Sequence, residues 1–475
     1  MLTRTARLRA AVVATLAAAA VLALTAASPS QASPSGLTGA RPAVVAAPGQ
    51  QPNVVVIMTD DQPLERLETM PNVRALLQDR GVTFTHSLVP TSSCCPSRTT
   101  MLTGRYSHET GIYTNRAPGG GWSAFHASGQ EQSTLATWLN DAGYRTALAG
   151  KYLNDFALSD PGYVPPGWDR FAGLLDGGYY YNYNLRVRDS SGVSDVTYGN
   201  EASDYSTDVL ASYATQFIEA TPAGTPLFMM FTPLAPHAPF TPAPIDVGTV
   251  PRVYPDAPDI NEKDMSDKPA WMRSAPRITR GLITSRTARQ KETLRAVDRA
   301  VGQILTALGP RAARTLFVFT SDNGLMLGSH RQFGKNLPHA RSSEVPLIMR
   351  WDGHLFPGST DQRLALNLDV TATILDAAGV RHPTSGLSLL RPVARDGTVL
   401  EGAATDWRPA YCAWRTTRWL YVEYSGNRGR ELYDYRTDPY ELNNLAGRAP
   451  YRDRVQRMRT AARAACDPTP PGFTW

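Results

Sequence analysis

The chain has 475 residues, with 48 Lys and Arg against 42 Asp and Glu, a net charge of +6 and 42% hydrophobic residues. That length suits one large α/β domain plus a smaller one, with enough apolar residues for a sizeable core. The basicity is mild, and three of its charges are Arg4, Arg7 and Arg9 at the N-terminus; this gives no ground for a nucleic-acid partner and is compatible with an anionic small molecule.

Residues 1–32 read as a secretory signal peptide. Arg4, Arg7 and Arg9 form a basic start, 10–27 is an apolar run rich in Ala, Val and Leu, and Ser30-Gln31-Ala32 offers small residues around a cut after Ala32. The run is short for a bilayer span, no cysteine follows it to carry a lipid, and no later stretch is apolar enough to cross a membrane. A secreted, extracellular protein with no membrane anchor is expected. Residues 33–51, rich in Ser, Pro, Ala and Gly, read as a flexible linker. A catalytic domain is expected over 52–390, a C-terminal subdomain over 391–466 and a tail over 467–475.

Asn53-Val54-Val55-Val56-Ile57-Met58 is a continuous apolar run, as in a strand buried on both faces, and it stops at Thr59-Asp60-Asp61. Val73, Leu76 and Leu77 predict a helix over 70–80, and a short strand follows over 82–85. Thr91-Ser92-Ser93-Cys94-Cys95-Pro96-Ser97-Arg98 reads as a polar loop that runs into helix-forming residues at 99–102. A helix over 134–142 stops at Gly143, and a strand over 144–148 feeds Gly150-Lys151. Residues 155–200, rich in Tyr, Gly, Asn and Asp, suggest hairpins and loops over the core. Ser206 is expected to cap a helix over 207–220. A buried strand over 226–231 leads to Pro236-His237-Ala238-Pro239, and 241–280 is proline-rich and irregular. Leu294, Val297, Val301, Ile304, Leu305 and Leu308 form one stripe of an amphipathic helix over 286–308. A third buried strand, 315–320, ends in Ser321-Asp322-Asn323-Gly324. A strand over 346–350 and a helix over 368–378 follow.

This alternation predicts a three-layer α/β/α sandwich with a large, mostly parallel or mixed sheet. Past about residue 390 the pattern changes. Strands over 411–424 and 430–435 with a helix over 451–465 predict a small α+β subdomain with an antiparallel sheet.

Asp60-Asp61, Lys151, His237 and Asp322-Asn323 all fall just past the ends of buried strands. In an open α/β sheet the ligand crevice lies at the carboxyl edge, so these distant segments can share one pocket. Three carboxylates and an amide oxygen suit a hard divalent cation. Singly, each is unremarkable: Asp322-Asn323-Gly324 is also an ordinary turn, and Lys151 an ordinary surface lysine. Cys94 reads as a nucleophile at the start of a helix, whose N–H groups form an anion pocket with the planar fork of Arg98.

Cys94-x-Pro96-Ser97-Arg98 followed by Leu102-Thr103-Gly104-Arg105 resembles the signature of the type I (formylglycine-dependent) sulfatases of the alkaline phosphatase superfamily. The resemblance implies that Cys94, rather than Cys95, is oxidised to formylglycine (3-oxoalanine) by a separate formylglycine-generating enzyme. It implies calcium, favoured over magnesium, held by Asp60, Asp61, Asp322, Asn323 and the modified residue 94. It assigns Arg98 to orienting that residue, Lys151 and Lys335 to binding sulfate, and His237 to contacting sulfate or protonating the leaving oxygen. The implied reaction is hydrolysis of a sulfated sugar or aryl sulfate. One hydroxyl of the hydrated aldehyde attacks sulfur, the alcohol leaves, and the second hydroxyl expels sulfate, a step that a serine could not perform. With Cys94 taken by oxidation, Cys412 and Cys466 are the expected disulfide and Cys95 a buried free thiol.

The resemblance covers roughly residues 52–447, including Arg430-Glu431-Leu432-Tyr433-Asp434 and Asp438-Pro439-Tyr440-Glu441. Two departures stand out. Leu153 takes the place of a usual histidine in Lys151-Tyr152-Leu153-Asn154, and Pro338-His339-Ala340-Arg341 replaces Pro-Tyr-Glu-Glu. The Lys-Tyr-Leu-Asn form looks more like the N-acetylglucosamine-6-sulfatase branch. A phosphatase or phosphodiesterase on the same fold is the first alternative, but such enzymes use Ser or Thr and extra zinc ligands, and none of the eight histidines clusters at the metal motifs. A non-catalytic glycan-binding protein is the second.

Overall fold

The computed structural model describes residues 51–157, 160–175 and 179–475. The signal peptide and all but the last residue of the linker lie outside the described residues. The chain contributes β1 (Asn53–Thr59), β2 (Val82–Leu88), β3 (Arg145–Gly150), β4 (Arg170–Leu174), β5 (Tyr183–Asp189), β6 (Gly192–Tyr198), β7 (Leu227–Thr232), β8 (Thr315–Ser321), the short pair β9 (Met326–Leu327) and β10 (Phe333–Gly334), β11 (Leu347–Arg350) and β12 (Ser359–Leu366). All but β9 and β10 join one 10-stranded sheet in the order β12-β2-β11-β8-β1-β7-β3-β4-β5-β6.

The centre of this sheet is parallel. Strand β1 pairs with β8 in the register Thr59↔Ser321 and with β7 as Ile57↔Phe231, and β3 pairs with β7 as Gly150↔Thr232. Strand β11 runs antiparallel to both β8 and β2, so β2 again points the same way as β1. Strands β1, β2, β3, β7 and β8 therefore end at one edge, and the loops after β1, β3, β7 and β8 hold charged site residues.

Strand alternation builds the layers, because successive side chains face opposite sides. Val54, Val56, Met58, Leu316 and Val318 join one core with Met101, Leu102, Trp138 and Ile374. Val55, Ile57, Phe317 and Phe319 join the other with Leu210, Leu294, Val297 and Val301. The helices Cys94–Thr103, Leu135–Asp141 and Asn367–Ala378 thus cover one face, and Ser206–Glu219 and Arg280–Leu308 the other. The result is a three-layer α/β/α sandwich.

A separate antiparallel sheet follows: β13 (Thr398–Gly402), β14 (Tyr411–Arg415), β15 (Trp419–Tyr424) and β16 (Arg430–Asp434), in that order. The closing helix Arg452–Ala465 leads to Cys466, which is bonded to Cys412 on β14; Cys95 is a buried free thiol.

Several local expectations are corrected. Residues 183–198 do not lie over the core; their hairpin extends the main sheet as its edge strands β5 and β6. The helix expected over 70–80 is a π-helical stretch, Val73–Gln78, whose start is held from another helix: the Asp298 carboxylate accepts the N–H groups of Asn72 (3.1 Å) and Val73 (2.9 Å). Ser206 is not a cap. It is the first helical residue, Tyr205 takes the N-cap position, and the buried Ser206 hydroxyl has no partner.

Candidate active site

Cys94 stands at the start of a helix as expected, and the helix begins there rather than at Thr99. Cys94–Thr103 is helical from its first residue, with Ser93 extended at the N-cap and Gly104 closing the end in the left-handed conformation at φ 66°. The free N–H of Cys95 donates to Asn115 Oδ1 at 2.9 Å, and the Ser93 hydroxyl donates to the same oxygen at 3.1 Å. Asn115 therefore supplies the cap from outside the helix. Sequence reasoning missed it, since a single asparagine in a loop carries no pattern.

The strand-end residues meet around Cys94. The Asp61 N–H donates to Asp322 Oδ1 at 3.1 Å, joining the tips of β1 and β8. Arg98 reaches across three segments: Nε donates to Asp322 Oδ2 at 2.8 Å, Nη1 to the Lys151 carbonyl at 2.7 Å, and Nη2 lies 3.4 Å from Asp60 Oδ2. Lys151 Nζ donates to Asp60 Oδ2 at 2.5 Å, and the Cys94 thiol to Asp60 Oδ1 at 3.4 Å. Lys335, on the loop after β10, contacts Asp61 and the Cys94 sulfur. His237 Nε2 is 3.6 Å from Asp61 Oδ2, while its Nδ1 is 2.6 Å from the Ala238 carbonyl. The Tyr180 hydroxyl holds the His237 carbonyl at 2.8 Å. Every candidate site residue read from the sequence is thus in one cluster, and all but His237 and Lys335 are buried.

Three buried carboxylates sit with three cations, Arg98, Lys151 and Lys335. Burial alone would raise the Asp60 carboxyl, but Lys151, His237, Arg98 and Lys335 outweigh it and hold it well below the usual carboxylate range. Burial, then the neighbouring Asp60 charge, push Asp322 up. Burial works against the Lys335 ammonium, yet Asp61, Cys94 and Asp60 raise it well above the ordinary lysine range. Burial and Asp60 also push the Cys94 thiol up, so it is no thiolate nucleophile as it stands.

Residues 52–380 match the Sulfatase family. The chain belongs to the sulfatase family. Its C-terminal part, residues 328–465, also matches the family described as N-sulphoglucosamine sulphohydrolase, C-terminal. The chain is 32% identical over 406 residues to a human N-acetylglucosamine-6-sulfatase, covering 82% of this chain and 70% of the relative. It is 31% identical over 371 residues to a Caenorhabditis elegans relative named as an extracellular sulfatase Sulf-1 homolog, covering 72% of this chain; here the chain spans only about half, 49%, of the relative. A solved structure in complex with its substrate D-glucosamine-2-N,6-O-disulfate superposes with a TM-score of 0.72 at 22% identity, covering 88% of this chain and 99% of that one; it shares the fold. Sulfatases are sulfuric ester hydrolases, and no helix among the described residues is long and apolar enough to cross a membrane.

The donor set of this sulfatase fits a divalent cation. Asp60, Asp61, Cys94 and His237 each bring one donor atom within 4.8 Å of the others. Asn323 donates through Nδ2 to Asp61 Oδ1 at 2.6 Å and to the Gly324 carbonyl at 2.8 Å, which leaves its Oδ1 buried without a partner. A buried acceptor left bare costs stability unless something positive meets it. Leu153 is buried with Trp122, Tyr152 and Phe156 in a core cluster, and His339 Nε2 faces Glu431 of the small sheet at 3.3 Å.

Proposed function

We propose that this sulfatase is a secreted enzyme that hydrolyses sulfate monoesters on a sulfated glycan, of the hexosamine 6-O-sulfate kind, after a formylglycine-generating enzyme has oxidised Cys94. Calcium, held by Asp60, Asp61, Asp322, Asn323 and residue 94, is the proposed cofactor, since an all-protein oxygen cage suits its looser geometry better than magnesium's. Bound there, it would supply positive charge that polarises the oxygens at residue 94. The Cys94 sulfur stands where the oxygens of the oxidised side chain would lie.

The observation that carries this reading is the meeting of Cys94, Arg98, Lys151, Lys335 and His237 with the three carboxylates at one sheet edge. The aldehyde takes up water to give a geminal diol. One hydroxyl gives its proton to a carboxylate of the cluster as its oxygen bonds to sulfur and the S–O bond to the alcohol breaks. The second hydroxyl then gives its proton to His237, which has protonated the departing alcohol, and re-forms the C=O bond as sulfate departs. Lys151 and Lys335 neutralise the sulfuryl oxygens, and Arg98 locks Asp60 and Asp322 beside residue 94. His237 is the acid for the leaving alcohol in place of the absent histidine at Leu153. Its Nδ1–H is held by the Ala238 carbonyl, so as the acid the ring would act as the imidazolium and give up the proton on Nε2.

The test is a panel of sulfated saccharides and aryl sulfates with enzyme from a host that oxidises Cys94. Release of inorganic sulfate, lost on chelation and restored by calcium, is the expected outcome. Faster turnover of phenyl phosphate than of phenyl sulfate would overturn the assignment.

A further inference from the structure

Arg286, in the helix Arg280–Leu308, is gripped by two aromatic rings. Its guanidinium carbon lies 4.3 Å from the Phe333 ring centre and 5.9 Å from that of Phe240. Both rings belong to segments that carry site residues. The Phe240 N–H donates to the His237 carbonyl at 3.2 Å. Phe333 stands two residues before Lys335, and Arg408 fixes that segment by donating to the carbonyls of Phe333 (2.8 Å) and Lys335. The two segments are themselves joined, because Phe240 packs on Leu327 and Leu327 pairs with Phe333 across β9 and β10.

The other arginines around the site are committed. Arg98 is tied to Asp60 and Asp322, Arg341 to Glu65 and Asp259, and Arg408 to backbone carbonyls. Arg286 is part-exposed and makes no ion pair and no side-chain hydrogen bond among the described residues. Stacking on rings restrains the guanidinium without using its N–H groups, so a fork of donors is held ready against two rings whose segments carry His237 and Lys335.

We propose that Arg286 is a specificity-determining residue that binds a second oxyanion, a sulfate or a carboxylate, on the same glycan as the ester being cleaved. This rests on the sulfatase reading above. It makes the preferred substrate a doubly anionic saccharide rather than an isolated monosulfate.

The experiment compares kcat/KM for release of the 6-O-sulfate from N-acetylglucosamine 6-sulfate, from glucosamine 2-N,6-O-disulfate, and from the monosulfated sugar linked to a uronic acid. The expected result is a preference of about 10-fold or more for one doubly anionic substrate, carried by KM and eroded by added salt. Which of the two is preferred tells sulfate from carboxylate. R286Q should bring that ratio close to one, and R286K, which keeps the charge but loses the fork, should retain part of it; a merely structural role would lower all three substrates together. Equal rates on all three by the unmutated enzyme, or an unchanged ratio in R286Q, overturns this inference alone. No sulfate release from any of them overturns the sulfatase reading as well.

Discussion

Two buried charged clusters in this molecule have similar ingredients and opposite character. One is the Cys94 centre. The other joins the 259–268 segment, the loop after β9 and the segment that follows β16. There His330 Nδ1 lies 2.6 Å from Glu262 and its Nε2 3.3 Å from Glu441, while Lys268 meets Glu262 at 3.0 Å. Glu441 also accepts the Ala340 N–H at 3.0 Å and the Tyr435 hydroxyl at 2.6 Å. In this second cluster each named group finds its partner inside the protein. In the first, Asn323 Oδ1 is buried without a hydrogen-bonding partner. A buried ionic group that is fully paired acts as a joint; one that leaves an acceptor unspent is built to receive something.

This contrast can be broken by exchange of single residues. The largest effect is expected from C94A. Turnover of any sulfate ester should fall by about 10⁴-fold or more, while the enzyme stays folded, because no ion pair of the cluster is removed. A C94A enzyme that keeps its activity would show that the centre lies elsewhere. E441Q should do the reverse. It leaves His330 with one carboxylate instead of two, and a loss of about 3–5 kcal/mol in unfolding free energy is expected, with the rate per folded molecule preserved. Denaturant titration beside active-site counting separates the two quantities.

The smallest expected effect is a pH profile. The two glutamates raise the His330 pKa to about 9 against the cost of its burial, and the histidines with Tyr435 depress Glu441 to about 2. A raised histidine stabilises the fold fully below its unfolded pKa of about 6.5, and this is lost as pH climbs to about 9. A depressed glutamate stabilises above about 4.5, and this is lost as pH falls towards 2. The joint should therefore hold best between about pH 4.5 and 6.5. The melting temperature should decline on the alkaline side, and H330Q should flatten that decline. A decline of the same slope in H330Q would remove the joint from the explanation.

The parts legible in the sequence were those with unbroken apolar runs. Strands β1, β7 and β8 have no water-facing side, so their runs and the polar residues beyond them stand out, and those residues do lie together. Strand β12 was invisible because the half Ser359–Arg363 is polar and part-exposed, reading like a loop. The hairpin of β5 and β6 was expected, but not its place at the sheet's edge, because most of β6 faces solvent and carries no buried pattern. Contacts supplied from far away left no local trace either. The cap from Asn115 and the Asp298 carboxylate under Asn72 depend on three-dimensional closure, and so does the cradle of Arg286. Length, pattern and turn chemistry cannot report them.

The bond from Arg98 to Asp322 spans 224 positions, and Cys94 beside it is almost wholly covered. During synthesis the first of these residues emerges long before the second, so the helix start remains open until the later strand has been made and seated. On the proposed reading, oxidation of Cys94 would have to come before that closure, while the thiol is still uncovered.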